Sequence, residues 1–361
     1  MRDIDRFRGC LIGGAAGDAL GYAVEFLREA DIFRRYGRDG ITGYDLAKGI
    51  AEISDDTQMT LFTAAGLLTG DARRMRGVAE PYESAIAAGY SDWLKTQQKR
   101  YPVPDEDRSS WLMDVPELFS RRAPGITCLN ALSAGIPGTA ENPINNSKGC
   151  GGVMRVAPIG LFFNDRKTGI RKIDRIGAEA AAVTHGHELG YIPAAALVHI
   201  VHRLSQDDSG VEEAVQDAVS AMKDMWPKTD SLDRFVFLMD KALLLAHGSL
   251  RDVEAIRQLG EGWVAEETLA IAAYCAVKYP EDFDRAMIAS VNHNGDSDST
   301  GAVTGNILGA KLGLSGIPQK YTGNLELRDT ILEMADDLWR GSPNPGTDPV
   351  WEMKYIPGGK P

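Results

Sequence analysis

Glycine recurs every fourth residue twice in this chain, at Gly9, Gly13, Gly17 and Gly21 and again at Gly301, Gly305, Gly309 and Gly313. In a helix each glycine costs on the order of 1 kcal/mol against alanine. Residues four apart share one helical face, and a face without side chains lets another backbone come close. The spacing therefore requires tight helix crossings. Two readings follow: the stripes mark two buried helices that each cross a neighbour tightly, or the two helices pack on one another beneath a shared site.

The rest of the chain is patterned as helix. "DRIGAEAAAVTHGHELGYIPAAALVHIVHRLS", "GVEEAVQDAVSAMKDMW", "SLDRFVFLMDKALLLAH" and "AEETLAIAAYCAVKY" carry apolar residues at three- and four-residue spacing. Alternating runs are short and scarce, and Ala, Leu and Met dominate over β-branched residues. The expectation is an all-α fold, one multi-helix domain over residues 1–340, with loops at 100–117 and 136–152. A Pro- and Gly-rich tail at 341–361 is expected to pack on the surface. At 361 residues and 43% hydrophobic, the chain can bury a large core.

A net charge of -12 argues against a nucleic-acid or anionic-membrane binder, since phosphate contacts need clustered Lys and Arg. No apolar run reaches the length of a membrane span, and "MRDIDRFRGCLIGG" lacks the apolar core of a signal peptide. Cys10, Cys128, Cys150 and Cys275 lie far apart with no CxxC pair, as free thiols of a reducing compartment would. The reading is a cytoplasmic protein.

Acidic residues gather at three places: Asp18 and Glu25 in "GDALGYAVEF", Asp55 and Asp56 in "ISDDTQMTL", and Asp296 and Asp298 in "NGDSDSTGAV". Ser or Asp ahead of an apolar helix is an ordinary N-cap, and the helix dipole accommodates one carboxylate. Adjacent carboxylates at two helix starts, with no Lys or Arg inside either cluster, require a counter-charge. Oxygen-only ligands select a hard cation such as Mg²⁺, Mn²⁺ or Ca²⁺. An EF-hand fits Asp296, Asp298, Thr300 and Gly301, but its twelfth position falls on Ile307 rather than Glu. The EF-hand is rejected, and "SDDT" is the best donor of further ligands.

Five motifs in order, "GCLIGGAAGDALGYAVEF", "SDDTQMTL", "GCGGVMRVAPIGL", "THGHELGY" and "NHNGDSDSTGAVTGNILGA", resemble the ADP-ribosylglycohydrolase family of the dinitrogenase-reductase-activating type, over about residues 7 to 315. The resemblance implies an all-α fold with two Mg²⁺ or Mn²⁺ ions in a central cleft. By position, Ser54, Asp55 and Asp56 would hold one ion, Asp298 would bridge both, and Asp296, Ser299 and Glu25 would complete the second. Asp55 and Asp298 would organise the metals for catalysis, and Glu25 would be a ligand that yields to substrate and acts as base. Gly149, Cys150, Gly151 and Gly152 would cradle the diphosphate or distal ribose through backbone N–H groups, and His185 would lie near the ligand. Asp18 would orient the site or cap a turn, without being a ligand. Arg155 is open between ligand and structural roles, and His199 and His202 read as core or surface histidines.

The resemblance further implies hydrolysis of ADP-ribose from a modified protein side chain, with ADP-ribosyl-arginine foremost, so the partners would be an ADP-ribosylated protein and ADP-ribose. Rival readings are hydrolysis of another ADP-ribose conjugate and an immunity role, in which the chain binds and neutralises an ADP-ribosyltransferase toxin. One departure stands out. Where some arginine-specific relatives carry a carboxylate before a glycine, "RRAPGITCLNAL" reads Ala123, Pro124, Gly125, so another acid must serve as base if that one is catalytic.

Overall fold

A computed structural model describes residues 2–104, 108–207 and 209–356. Positions 105–107 of the expected loop and 357–361 of the expected tail lie outside the described residues. Among the described residues the chain forms eighteen α-helices and no strand, as the periodicity requires. Backbone pairing of the strand kind occurs as isolated bridges, one of them between Gly149 and Val264.

The two glycine stripes face each other. They lie on α1 (Ile4–Tyr22) and on the helix Ser297–Leu312. A Cβ on Gly9, Gly13 or Gly17 would collide with the carbonyl oxygen of Gly309, Gly305 or Gly301, and the reverse holds for each pair. The two backbones therefore touch, and only glycine fits between them. The side chain of Asn306 completes the seam by donating to the Cys10 carbonyl (2.8 Å) in the buried interface. Beyond the last pair, Gly21 lies against the carbonyl of Ser297. The C-terminal end of α1 is thus held to the first turn of the second helix.

Three further helices frame the site: α2 (Asp55–Met75), α3 (Ile170–Ala182) and α4 (Glu188–Gln206). Most of α4 is buried, which places it at the centre of the core. The long apolar stretch that includes α3 and α4 is broken at residues 183–187. There His187 caps α4, its Nδ1 accepting from the Leu189 amide (3.0 Å). Reading the stretch as one helical pattern missed this break, although residues 184–188, Thr-His-Gly-His-Glu, interrupt the apolar spacing. The expected loop at 100–117 contains a 3₁₀ turn at Trp111–Asp114, and the tail carries a helix, Pro349–Tyr355, that buries Trp351 and Tyr355.

His199 and His202 are buried on α4. His199 lies between Asp174 (2.9 Å) and Asp217 (3.2 Å). Burial pulls its pKa down, but the hydrogen bonds and charges of Asp174 and Asp217 more than offset this and raise it above the usual histidine value. Both histidines are structural, as expected.

Two predictions follow from this packing. Gly305→Ala should lower stability by about 1–3 kcal/mol or more through overpacking, whereas Gly43→Ala, with no neighbour within 4 Å, should change it little; urea unfolding compares the two. Because the folded pKa of His199 lies above its unfolded value, its contribution is complete below about pH 6.5 and is lost as pH rises through the folded value. The fall in melting temperature on raising pH above about 6.5 should therefore be shallower in His199→Gln.

Candidate active site

The fold brings the three acidic stretches to one place. α1 ends at Tyr22 and passes into a turn that carries Glu25. The helix Ser297–Leu312, here α5, starts with Asp296 as N-cap, its side chain accepting from the Ser299 amide, and carries Asp298 in its first turn. One carboxylate oxygen each from Glu25, Asp296 and Asp298 lie within 4.8 Å of one another. Asp55 and Asp56, in the first turn of α2, line the same cavity of about 540 Å³, as does Ser299. All of these side chains are buried.

Asp18 stands behind this layer, and Ser54 is buried next to Asp55 without lining the cavity. Ser54 caps α2 by accepting from the Asp56 amide (3.2 Å). Asp18 is fully buried and takes the Ser54 amide (2.8 Å) on one oxygen and the Thr57 amide (3.0 Å) and hydroxyl (2.5 Å) on the other. The carboxylate on α1 thus sets the start of α2 and the direction of Asp55 and Asp56. Asp18 orients the site from behind, as expected.

Negative charge is crowded here. Burial first, then the charges of Asp298, Asp296 and Asp55, push Glu25 up to about 10. Burial and Asp298 push Asp18 up to about 7. Asp55, Asp56 and Asp296 rise well above the carboxylate range, burial being the main cause in each. Glu25 Oε2 and Asp56 Oδ2 are buried and accept no hydrogen bond. A cation is the group that would reverse the shifts and satisfy both oxygens.

The opposite wall is backbone. Residues 148–150 are strapped to the segment before the helix Ala265–Lys278, Cys150 N donating to Trp263 O (3.2 Å) and Ala265 N to Lys148 O (2.9 Å). Gly149, Cys150 and Gly151 line the cavity; Gly152 does not, and instead packs against Gly190 and Ala181. Cys150 is half-buried and its thiol is pushed up by burial, Asp296 and Asp56; the other three cysteines are buried and free, as expected. His185 sits in the break between α3 and α4 and lines the cavity. Its Nδ1 pairs with Thr184 Oγ1 (2.8 Å), and burial together with Arg155 lowers its pKa to about 3. It is a neutral ring at physiological pH.

Arg155 is structural. It is fully buried, stacks on Tyr90 (4.0 Å to the ring centroid) and donates to Ala180 O (3.0 Å) and Thr184 Oγ1 (2.7 Å). It does not line the cavity. The Ala-Pro-Gly segment does line it, and touches an acid through the main chain: Gly125 N donates to Asp55 Oδ2 (3.1 Å). Ala123 is held there at a φ of 47°, a left-handed conformation unusual for a residue with a Cβ.

Sequence reasoning missed Phe26, Arg121, Ile126 and Trp263, which also line the cavity. Phe26 follows Glu25 directly, and that adjacency was the available signal. Trp263 is brought in by the backbone straps to the glycine loop, which no local pattern announces.

The family model described as ADP-ribosylglycohydrolase matches residues 1–347. The chain is 28% identical to ADP-ribosylhydrolase ARH3 of Danio rerio, covering 93% of this chain and 90% of the relative. It is 25% identical to ADP-ribosyl-[dinitrogen reductase] glycohydrolase of Rhodospirillum rubrum, over 90% and 91% of the two chains. It is 23% identical to ADP-ribosylarginine hydrolase Tri1 of Pseudomonas putida, over 94% and 79%. A solved structure titled ADP-ribosylglycohydrolase-related protein complex has the same fold, with a TM-score of 0.64 at 22% identity, covering 93% of this chain and 98% of that one.

Asp18→Ala would leave the buried amides of Ser54 and Thr57 without an acceptor, at about 1–3 kcal/mol for each. The variant should unfold at clearly lower urea than the parent. An unchanged midpoint would mean that the start of α2 is fixed by other contacts.

Proposed function

The chain belongs to the ADP-ribosylglycohydrolase family, and from that premise we propose that it removes ADP-ribose from modified protein side chains, ADP-ribosyl-arginine foremost, with two Mg²⁺ or Mn²⁺ ions. The family hydrolyses ADP-ribose conjugates and is generally metal-dependent. The observation that carries the reading is the trio of Glu25, Asp296 and Asp298 within 4.8 Å, with Glu25 Oε2 buried and unpartnered, in a cavity edged by the glycine loop. An oxygen-only donor set fits a hard divalent cation. In this reading Ser54, Asp55 and Asp56 would hold one ion and Asp296, Ser299 and Glu25 the other, with Asp298 a further ligand.

Divalent cations bound there would polarise the ribose hydroxyls and lower the pKa of an attacking water. The residues of the chain do the rest. A positive charge nearby returns Glu25 to its carboxylate form, and Glu25 takes a proton from the water that attacks C1″ of the ribose. The bond from C1″ to the side-chain nitrogen breaks as positive charge builds on the sugar, and the proton that Glu25 took from the water passes to the departing nitrogen. The main chain at Gly149 and Gly151 faces the phosphates or the distal ribose, with the Cys150 amide already given to Trp263 O, and neutral His185 supports that wall. Gly125 N keeps Asp55 oriented, so the Ala-Pro-Gly segment takes part without a carboxylate. The arginine linkage is supported by the name of the Pseudomonas putida relative, an ADP-ribosylarginine hydrolase.

The test is release of ADP-ribose from an arginine-modified protein with Mg²⁺ or Mn²⁺, read beside the melting temperature with and without metal. Metal should raise the melting temperature of the parent, and EDTA should abolish release. Asp298→Ala should lose both the thermal shift and the release. Glu25→Gln should keep most of the thermal shift while kcat falls about 10²- to 10⁴-fold. Full turnover by Glu25→Gln would remove its role as base, and release from serine-linked but not arginine-linked substrate would change the linkage while keeping the hydrolase.

A further inference from the structure

Two large aromatic side chains lie exposed on the cavity that holds the acids. Phe26 is 72% exposed and Trp263 is 41% exposed, and both line it. Their rings are stacked, with centroids 6.4 Å apart and planes 23° from parallel. Exposed apolar surface of this size beside a concave site calls for a ligand. Each ring is tied to the chemistry by the main chain. Phe26 follows Glu25, and the carbonyl of Trp263 accepts from the Cys150 amide (3.2 Å).

What meets these rings follows from the topology of the substrate, given the reading above, on which this inference rests. The reacting carbon must reach the buried carboxylates, while the modified protein stays outside. The side chain that links the two has to cross the mouth next to Glu25, where Phe26 and Trp263 are exposed. An exposed, flat aromatic face favours a planar, delocalised cation, which stacks on it and is weakly hydrated. A serine linkage brings no such group. We propose that Phe26 and Trp263 form the surface that receives the guanidinium of the modified arginine and sets the preference for arginine over serine linkages.

Arginine- and serine-linked ADP-ribosyl peptides of otherwise identical sequence test this, with wild type, Phe26→Leu, Trp263→Leu and Trp263→Phe. The ratio of kcat/KM for arginine over serine should fall by roughly 3- to 30-fold in each leucine variant and largely recover in Trp263→Phe. ADP-ribose affinity by calorimetry should hold in all of them. If serine turnover is nil, arginine kcat/KM set against ADP-ribose affinity carries the same comparison. Equal losses on both linkages, a matching loss of ADP-ribose affinity, or an unchanged ratio would each overturn the assignment. A wild-type enzyme that cleaves serine but not arginine linkages would overturn it and leave the hydrolase standing. A wild-type chain that cleaves neither and does not bind ADP-ribose would overturn both readings.

Discussion

The contact on which the structure depends is backbone against backbone. α1 and α5 meet through glycines at every turn, so their separation is fixed by main-chain atoms rather than by side chains that can change rotamer. Glu25 leaves from the end of one helix and Asp296 and Asp298 from the start of the other. Their spacing therefore inherits the rigidity of the crossing. A site that gathers like charges needs such a frame, because the carboxylates repel and would otherwise spread apart. Asp18, also on α1, extends the control to α2 through two amides and a hydroxyl.

Burial and repulsion act in the same direction here. The carboxylates of the cavity are held in a region that disfavours their charged form, and two of their oxygens have no donor. This is stored cost, and sites of that kind are where sequences depart from what stability alone would select. The neighbouring wall is the reverse: His185 is neutral, Arg155 is occupied by Tyr90, Thr184 and a carbonyl, and the glycine loop presents main-chain groups.

Much of this was legible in the sequence. The glycine stripes required a close helix crossing, and of their two readings the mutual packing is the one adopted. Helical periodicity carried the fold class, and adjacent carboxylates at helix starts marked a common site. What stayed hidden depends on contacts distant along the chain. The break at residues 183–187 coincides with an apolar gap at 184–188, which the long helical patterns on either side mask. Gly152 matches the loop pattern of its neighbours yet turns to α4, and only packing decides which glycine faces the cavity. Trp263 is brought to the site by pairing with Cys150, more than a hundred residues away.

The hold of Gly125 on Asp55 has a consequence for how this segment can change over time. An amide is supplied by nearly every residue type, so the grip on the acid survives substitutions that would abolish a side-chain contact. The same segment lines the cavity through Ala123, Pro124 and Ile126. Its side chains are thus free to vary in size and charge while the anchoring atom stays in place, which makes it a place where a lineage can alter what the cavity accepts without dismantling the machinery beneath.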